Sequence, residues 1–173
     1  MCIVFVEKNE EIIVEKFGKF HRKLTEGAHF LLPFVEKVRG LQDPANPKKF
    51  INNGKIKTTE EIFYFPKDDR IFFAKDKSQL QMRAEITYRI EDSYKAVYEV
   101  DYLFDAINQL CAGIIQSRLL DAPDGVDQIE YLHKLTQNVI ETANEYSQKW
   151  GVKILKFELK QITDTNGVRQ NFG

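Results

Sequence analysis

The fold of this chain is decided by residues 79–90, QLQMRAEITYRI, in which apolar and polar side chains alternate without a break. A period of two is the pattern of a β-strand with one buried and one exposed face. The stretch therefore predicts a long strand whose buried face carries Leu80, Met82, Ala84, Ile86, Tyr88 and Ile90. It also divides the chain, because the segments before it have strand patterns and those after Asp92 have helical spacing.

Shorter strands are predicted upstream of this stretch, each bounded by charged residues or proline. They cover residues 3–6, 12–17, 29–34, 62–65 and 71–73. The polar tract between Asp43 and Lys55 contains two prolines and three asparagines, so we expect it to form a loop.

Downstream, apolar residues recur at steps of four, three and four, which predicts a helix with Leu103, Ile107, Leu110 and Ile114 on its buried face. A second apolar stripe over residues 126–150 predicts one long helix, with Asp124 as its N-cap and Gly151 just after its end. A closing strand follows, in which Ile154 and Leu155 interrupt the alternation and indicate a bulge or burial on both sides. The predicted fold class is α+β, with a mainly antiparallel sheet from the first half packed by helices from the second.

Composition favours one globular domain and excludes several functions. A hydrophobic share of 43% over 173 residues is enough for a continuous core. A net charge of -1 argues against nucleic acid as the main partner, because phosphate binding needs a clear positive excess. Only Cys2 and Cys111 are present, so no disulfide framework is expected and a reducing compartment is favoured.

No pattern in the sequence supports catalysis. The histidines at 21, 29 and 133 have no metal-ligand spacing to one another or to the cysteines. The glycines are scattered singly, and neither a phosphate loop nor a Gly-x-Ser-x-Gly elbow occurs. We therefore expect no catalytic residues, no metal site and no cofactor, and predict that the protein is not an enzyme.

A basic patch directly precedes an apolar run in residues 14–35, VEKFGKFHRKLTEGAHFLLPFV. The apolar run is much shorter than the roughly 20 residues that span a bilayer, but it is long enough to enter the headgroup boundary. The candidate membrane-contacting residues are Phe30, Leu31, Leu32 and Phe34 with Lys16, Lys19, Arg22 and Lys23. The same pattern is also typical of a basic hairpin strand followed by a buried strand, and the sequence leaves both interpretations open.

Three blocks of the chain resemble the band 7 domain, also called the SPFH or prohibitin-homology domain, of the stomatin-like group. They are the stretch at residues 14–35, residues 79–100, and residues 150–162, WGVKILKFELKQI. In this resemblance the domain covers residues 1–162. Residues 163–173 are then a polar tail at the point where the family begins a long heptad-bearing helix.

The resemblance implies a non-enzymatic, membrane-associated scaffold that organises membrane microdomains or partner membrane proteins by lateral assembly. It implies as partners a lipid surface, identical subunits joined through a C-terminal helix not present in this sequence, and membrane proteins or proteases. The implied location is peripheral, on the cytoplasmic face of a membrane. The alternative is a soluble protein-protein adaptor with no lipid role.

Overall fold

Strands fill the first half of the chain and helices most of the second, as the sequence predicts, in a computed structural model that describes residues 2–164 and 169–171. The strands are β1 (Cys2–Val6), β2 (Glu10–Lys16), β3 (Lys19–Leu24), β4 (Gly27–Leu31), β5 (Glu36–Arg39), β6 (Gln42–Asp43), β7 (Asn46–Phe50), β8 (Lys55–Lys57), β9 (Glu60–Phe65), β10 (Phe72–Phe73), β11 (Gln79–Ile90), β12 (Val152–Asp164) and β13 (Arg169–Asn171). The helices are α1 (Ser93–Tyr98), α2 (Leu103–Leu120), α3 (Gln128–Lys134) and α4 (Thr136–Ser147).

The chain divides into two compact units. The first contains residues up to Glu60, Arg89–Ala106 and Lys149–Val152, and the second contains Glu61–Tyr88, Ile107–Gln148 and the described residues from Lys153 onward. The predicted domain boundary at residue 162 stays a prediction. The predicted tail at 163–173 lies partly outside the described residues, and within them β12 continues to Asp164 and pairs with β13.

Strand β2 is the centre of the first unit. It pairs in antiparallel fashion with β3, β5 and β8, while β1 and β4 form a separate antiparallel pair. Its residues Ile12, Ile13 and Val14 are all buried, so both faces of the strand are covered. Ile12 and Val14 form one core cluster with Val6, Leu24 and Leu31.

Helix α1 forms hydrogen bonds with two carboxylates of β2, those of Glu11 and Glu15. The Ser93 hydroxyl donates to the Glu11 carboxylate, and the Tyr98 hydroxyl donates to Glu15 at 2.9 Å. The helix begins after Asp92, whose carboxylate accepts from the backbone N–H of Lys95. This N-cap satisfies one of the free amide groups of the first turn.

The polar tract that the sequence predicts to be a loop forms a small hairpin, and that prediction is wrong. Strands β6 and β7 pair, and the Asp43 carboxylate accepts from the Ala45 N–H at 2.9 Å in the turn between them. A 3₁₀ turn follows, in which Asn52 and Asn53 have left-handed φ values of 49° and 54°. Asparagine tolerates this conformation, so the residues that indicate a loop also build these turns.

In the second unit, the sheet has the order β10-β11-β12-β13, with β9 also paired to β11. Buried and more exposed residues alternate along the whole of β11, which confirms the sequence prediction. Along β12 the buried positions shift from even to odd numbers between Ile154 and Phe157, where the interrupted alternation predicted an irregularity. The Asn144 side chain serves the backbone there, since it accepts from the Ile154 N–H and donates to the Ile154 carbonyl, each at 2.8 Å.

The predicted long helix is two helices, which corrects the sequence prediction. Helix α3 ends at Lys134 and α4 begins at Thr136, with Leu135 between them in a tightened turn. There the Leu135 N–H donates to both the Leu132 and Tyr131 carbonyls. The N-cap is Asp127, whose carboxylate accepts from the N–H groups of Ile129 and Glu130 at 2.9 Å, whereas the predicted cap, Asp124, forms an ion pair with Lys75.

Helix α2 occurs as predicted, but its buried face is rotated from the predicted one. Leu103 and Ile107 are buried, whereas Leu110 and Ile114 are only half-buried and Cys111 and Ile115 take their place. The buried Asn108 side chain accepts from the Lys67 N–H at 3.1 Å. A buried amide at this position is tolerated because it supplies a partner to a backbone group.

Candidate functional site

The predicted apolar run lies partly on β4, which carries Phe30 and Leu31, and partly in the turn after it, which carries Leu32 and Phe34. Phe30 and Leu32 are exposed and Phe34 is 97% exposed, whereas Leu31 is 6% exposed and belongs to the core cluster. Side chains alternate along a strand, so neighbours in an apolar run point to opposite faces. Leu31 is thus a core residue, and the other three apolar candidates lie at the surface.

Strand β1 adds two exposed apolar residues that sequence reasoning missed. Ile3 and Phe5 are exposed, and Ile3 lies directly opposite Phe30 in the antiparallel register. Residues opposite each other in a pair of strands share a face. The available signal was that residues 3–6 are all apolar, which makes both faces of the strand apolar.

Two tight turns next to this pair of strands each expose a phenylalanine. Phe17, in the β2–β3 turn, has φ 52° and is 77% exposed, and Phe34 has φ 68°. The backbone N–H of Phe17 donates to the Val35 carbonyl at 3.4 Å, which joins the two turns. A left-handed φ is unfavourable for a bulky residue, and such strain concentrates at functional sites.

The basic residues nearest these turns have no anionic partner in the described part of the chain. Lys16 and Lys19 lie directly opposite each other across the β2–β3 turn, and neither forms an ion pair with a described residue. The Lys16 ammonium lies 6.0 Å from the centroid of the Phe17 ring. Like charges at opposed positions repel, so this pair favours the approach of an anion. We call Lys16, Phe17, Lys19, Leu32 and Phe34 the tip.

The other two basic candidates are used within the protein. The Arg22 guanidinium donates twice to the Glu36 carboxylate, at 3.2 Å each, and to the Phe30 carbonyl at 2.7 Å. Lys23 forms an ion pair with Glu11 at 2.9 Å. The structure therefore separates the four predicted cations. Lys16 and Lys19 lie at the tip and form no ion pair with a described residue, whereas Arg22 and Lys23 form ion pairs with Glu36 and Glu11.

Glu36 is a buried charge that sequence reasoning did not identify. It is 8% exposed and accepts from the Leu32 N–H at 2.8 Å in addition to Arg22, and the His21 Nε2 atom lies 3.4 Å away. The Leu32 hydrogen bond, followed by Arg22, holds the pKa of Glu36 below its ordinary value of 4.5. The carboxylate is therefore charged at neutral pH, and its position is fixed by these donors.

One of the two cysteines, Cys111, is buried. Burial raises the pKa of the Cys111 thiol to about 12, which leaves it protonated and unreactive. Within residues 2–164 and 169–171, no three His, Cys, Asp or Glu side chains lie together as metal ligands. Over the same residues, no helix combines the length and the apolar character needed to cross a bilayer.

Comparison with known proteins identifies several relatives of this chain. The chain is 27% identical over 161 residues to stomatin-like protein 2, mitochondrial, of Rattus norvegicus, covering 92% of this chain and 40% of that protein. It is 28% identical over 164 residues to the stomatin-like protein stl-1 of Caenorhabditis elegans, covering 92% of this chain and 44% of that protein. An uncharacterized protein of Methanocaldococcus jannaschii is 26% identical over 172 residues, covering 97% and 75% of the two chains.

The chain thus spans less than half the length of the stomatin-like relatives. The family model described as SPFH domain / Band 7 family matches residues 4–173. The chain therefore belongs to the SPFH domain / Band 7 family.

Proposed function

We propose that this domain is a non-enzymatic, peripheral membrane scaffold whose tip, together with the exposed face of β1 and β4, contacts a lipid surface. The observation that carries the proposal is the pair of exposed phenylalanines with a left-handed backbone, Phe17 and Phe34, beside Lys16 and Lys19, which form no ion pair with a described residue. Aromatic residues suit the membrane interface, and lysines suit the anionic headgroups above it.

The magnitudes favour reversible attachment. Burying one large apolar side chain contributes about 1.5–3 kcal/mol, and each basic residue near an anionic leaflet adds about 1 kcal/mol. Phe17, Leu32 and Phe34 with Lys16 and Lys19 thus supply enough free energy to hold the domain at a surface. They do not anchor it as firmly as a membrane-spanning helix would.

As a member of this family, the domain is proposed to organise membrane microdomains or partner membrane proteins by lateral assembly on the cytoplasmic face. The stomatin-like relatives are more than twice as long as the matched region. We propose that the assembly of identical subunits uses a C-terminal helix of the kind that the family resemblance implies. Membrane proteins or proteases would then be gathered by the assembled array.

Flotation with liposomes tests the proposal. We expect the protein to float with vesicles that contain anionic lipid, to bind neutral vesicles poorly, and to detach as salt is raised, because ions screen the lysines. Absence of flotation under all these conditions would contradict the proposal. It would favour the soluble adaptor, for which the exposed face of β1 and β4 would be a protein-binding surface.

A further inference from the structure

We propose that Glu36 is the positioning residue of the membrane contact, because its buried carboxylate holds the tip in the shape that presents Phe34. This inference rests on the proposed function. The Glu36 carboxylate does not itself contact lipid, but it determines how tightly the domain binds to the membrane.

The contacts of Glu36 join three parts of the first unit. The residue begins β5, its carboxylate accepts from Arg22 on β3, and it also accepts from the backbone N–H of Leu32 in the turn. Arg22 additionally donates to the Phe30 carbonyl at the end of β4. The carboxylate and guanidinium thus fix both residues that flank Leu31, the last residue of β4.

The turn itself needs this support. Only two backbone hydrogen bonds close it, from the Val35 N–H at 3.3 Å and the Glu36 N–H at 2.9 Å, and both end on the Leu32 carbonyl. Phe34 is held at φ 68° within it and packs against almost nothing, so its conformation is not stabilised by burial. Strained residues persist only where their surroundings determine the conformation. The Glu36 carboxylate, which accepts from the Leu32 N–H, adds a restraint to the bond between the Phe17 N–H and the Val35 carbonyl.

Positioning and simple electrostatics predict opposite results for Glu36→Gln. The groups that face the carboxylate are the Arg22 guanidinium and the His21 imidazole, and Lys16 is its opposite residue on β2. Removing the negative charge leaves the Arg22 guanidinium uncompensated, so electrostatics alone would strengthen binding to anionic vesicles. Positioning predicts weaker binding, because a neutral amide holds Arg22 and the Leu32 N–H less firmly.

Glu15→Gln is the matched control. Glu15 is a half-buried carboxylate next to the basic residues, but its partners are Tyr98 on α1 and Arg39 on β5 and not the Leu32 N–H. The experiment measures partition of the full chain onto vesicles of phosphatidylcholine with anionic phosphatidylserine, with circular dichroism to confirm folding. We expect Glu36→Gln to lose about tenfold in partition, comparable to the loss of one apolar anchor, and Glu15→Gln to lose nothing.

A double-mutant cycle with Phe34→Asn completes the test. If Glu36 acts by presenting Phe34, Glu36→Gln has no further effect once Phe34 is replaced. Partition of Glu36→Gln equal to or above that of the wild type, or an equal loss in both backgrounds, would overturn the inference. Absence of wild-type binding would instead overturn the proposed function.

If Glu36→Gln fails to fold, Arg22→Lys is a second variant that tests the same inference. It conserves the net charge but removes the two-pronged contact with Glu36 and the bond to Phe30. We expect weaker partition for this variant, and unchanged partition would again overturn the inference.

Discussion

The backbone N–H of Phe17 donates to the carbonyl of Val35, and this bond joins two turns at the end of the β2–β5 pair. One turn carries Lys16 and Lys19, and the other carries Leu32 and Phe34. A basic segment and the apolar segment that follows it in the sequence thus become one surface, which is the basis of the membrane contact proposed for this domain.

Phe34→Asn should separate surface function from stability. Asparagine adopts a left-handed φ more readily than phenylalanine, and Phe34 is 97% exposed, so unfolding free energy should change by less than about 0.5 kcal/mol. Partition onto anionic vesicles should fall about tenfold or more. Urea unfolding and vesicle sedimentation measure the two effects.

The matched change at the neighbouring core residue is Leu31→Ala. Because Leu31 packs with Val6 and Leu24, its truncation should cost about 2–5 kcal/mol of unfolding free energy. If Leu31→Ala leaves stability unchanged, or if Phe34→Asn binds vesicles like the wild type, the assignment of the two faces is wrong.

The two classes of lysine should differ in their effect on binding. Lys16→Gln with Lys19→Gln should weaken partition onto anionic vesicles, by about fivefold for each charge, since each contributes about 1 kcal/mol. Lys23→Gln should have a smaller effect, because Lys23 is paired with Glu11. Partition measured from low to high salt checks this, and an equal loss for both sets would show that the whole patch acts as a diffuse charge.

The low pKa of Glu36 makes a prediction about acid stability. A carboxyl group whose pKa is lower in the folded state stabilises the fold above its ordinary value of 4.5, and this contribution is lost as the pH falls through the folded value. The wild type should therefore be more stable than Glu36→Gln at pH 7, and the difference should shrink as the pH is lowered from about 5. Urea midpoints across this range test it, and a difference that grows on acidification would contradict it.

The N-cap of α3 can be tested in the same way. Asp127→Ala should cost about 1 kcal/mol of unfolding free energy, because two amide groups lose their acceptor. Asp124→Ala should cost less, since its ion pair with Lys75 is exposed. A larger loss of unfolding free energy for Asp124→Ala than for Asp127→Ala would mean that the helix begins after Asp124.

Sequence patterns predict the parts of this fold that depend on regular periodicity. The alternation along β11 and the helical spacing of α2 are strong because each repeats over many residues. The break at Leu135 is not predicted, because one apolar stripe runs through both helices. The N-cap at Asp127 is not predicted, because two aspartates precede the stripe. Local hydrogen bonds decide whether the stripe forms one helix or two and which aspartate is the N-cap, and the apolar pattern carries no information about these bonds.

The candidate surface is predictable only in part for a related reason. A run such as Phe30-Leu31-Leu32 is apolar at every position, so hydropathy cannot tell the core face from the exposed one. Glu36 and Arg22 are 14 residues apart, and their pairing depends on the register of β3 and β5 about β2. Phenylalanine is also not a typical residue for a left-handed turn, so nothing in the sequence marks Phe34 as strained.

A single tryptophan at position 34 tests the central claim most directly. Trp150, the one tryptophan of the chain, is replaced by phenylalanine, and Phe34→Trp then reports on the tip alone. Phe73→Trp is the matched control, because Phe73 is an exposed aromatic residue on β10 that is not part of the tip. On anionic vesicles we predict that brominated acyl chains quench the probe at 34, with a blue-shifted emission, and leave the probe at 73 unquenched. A vesicle-bound protein whose probe at 34 stays in water would contradict the account.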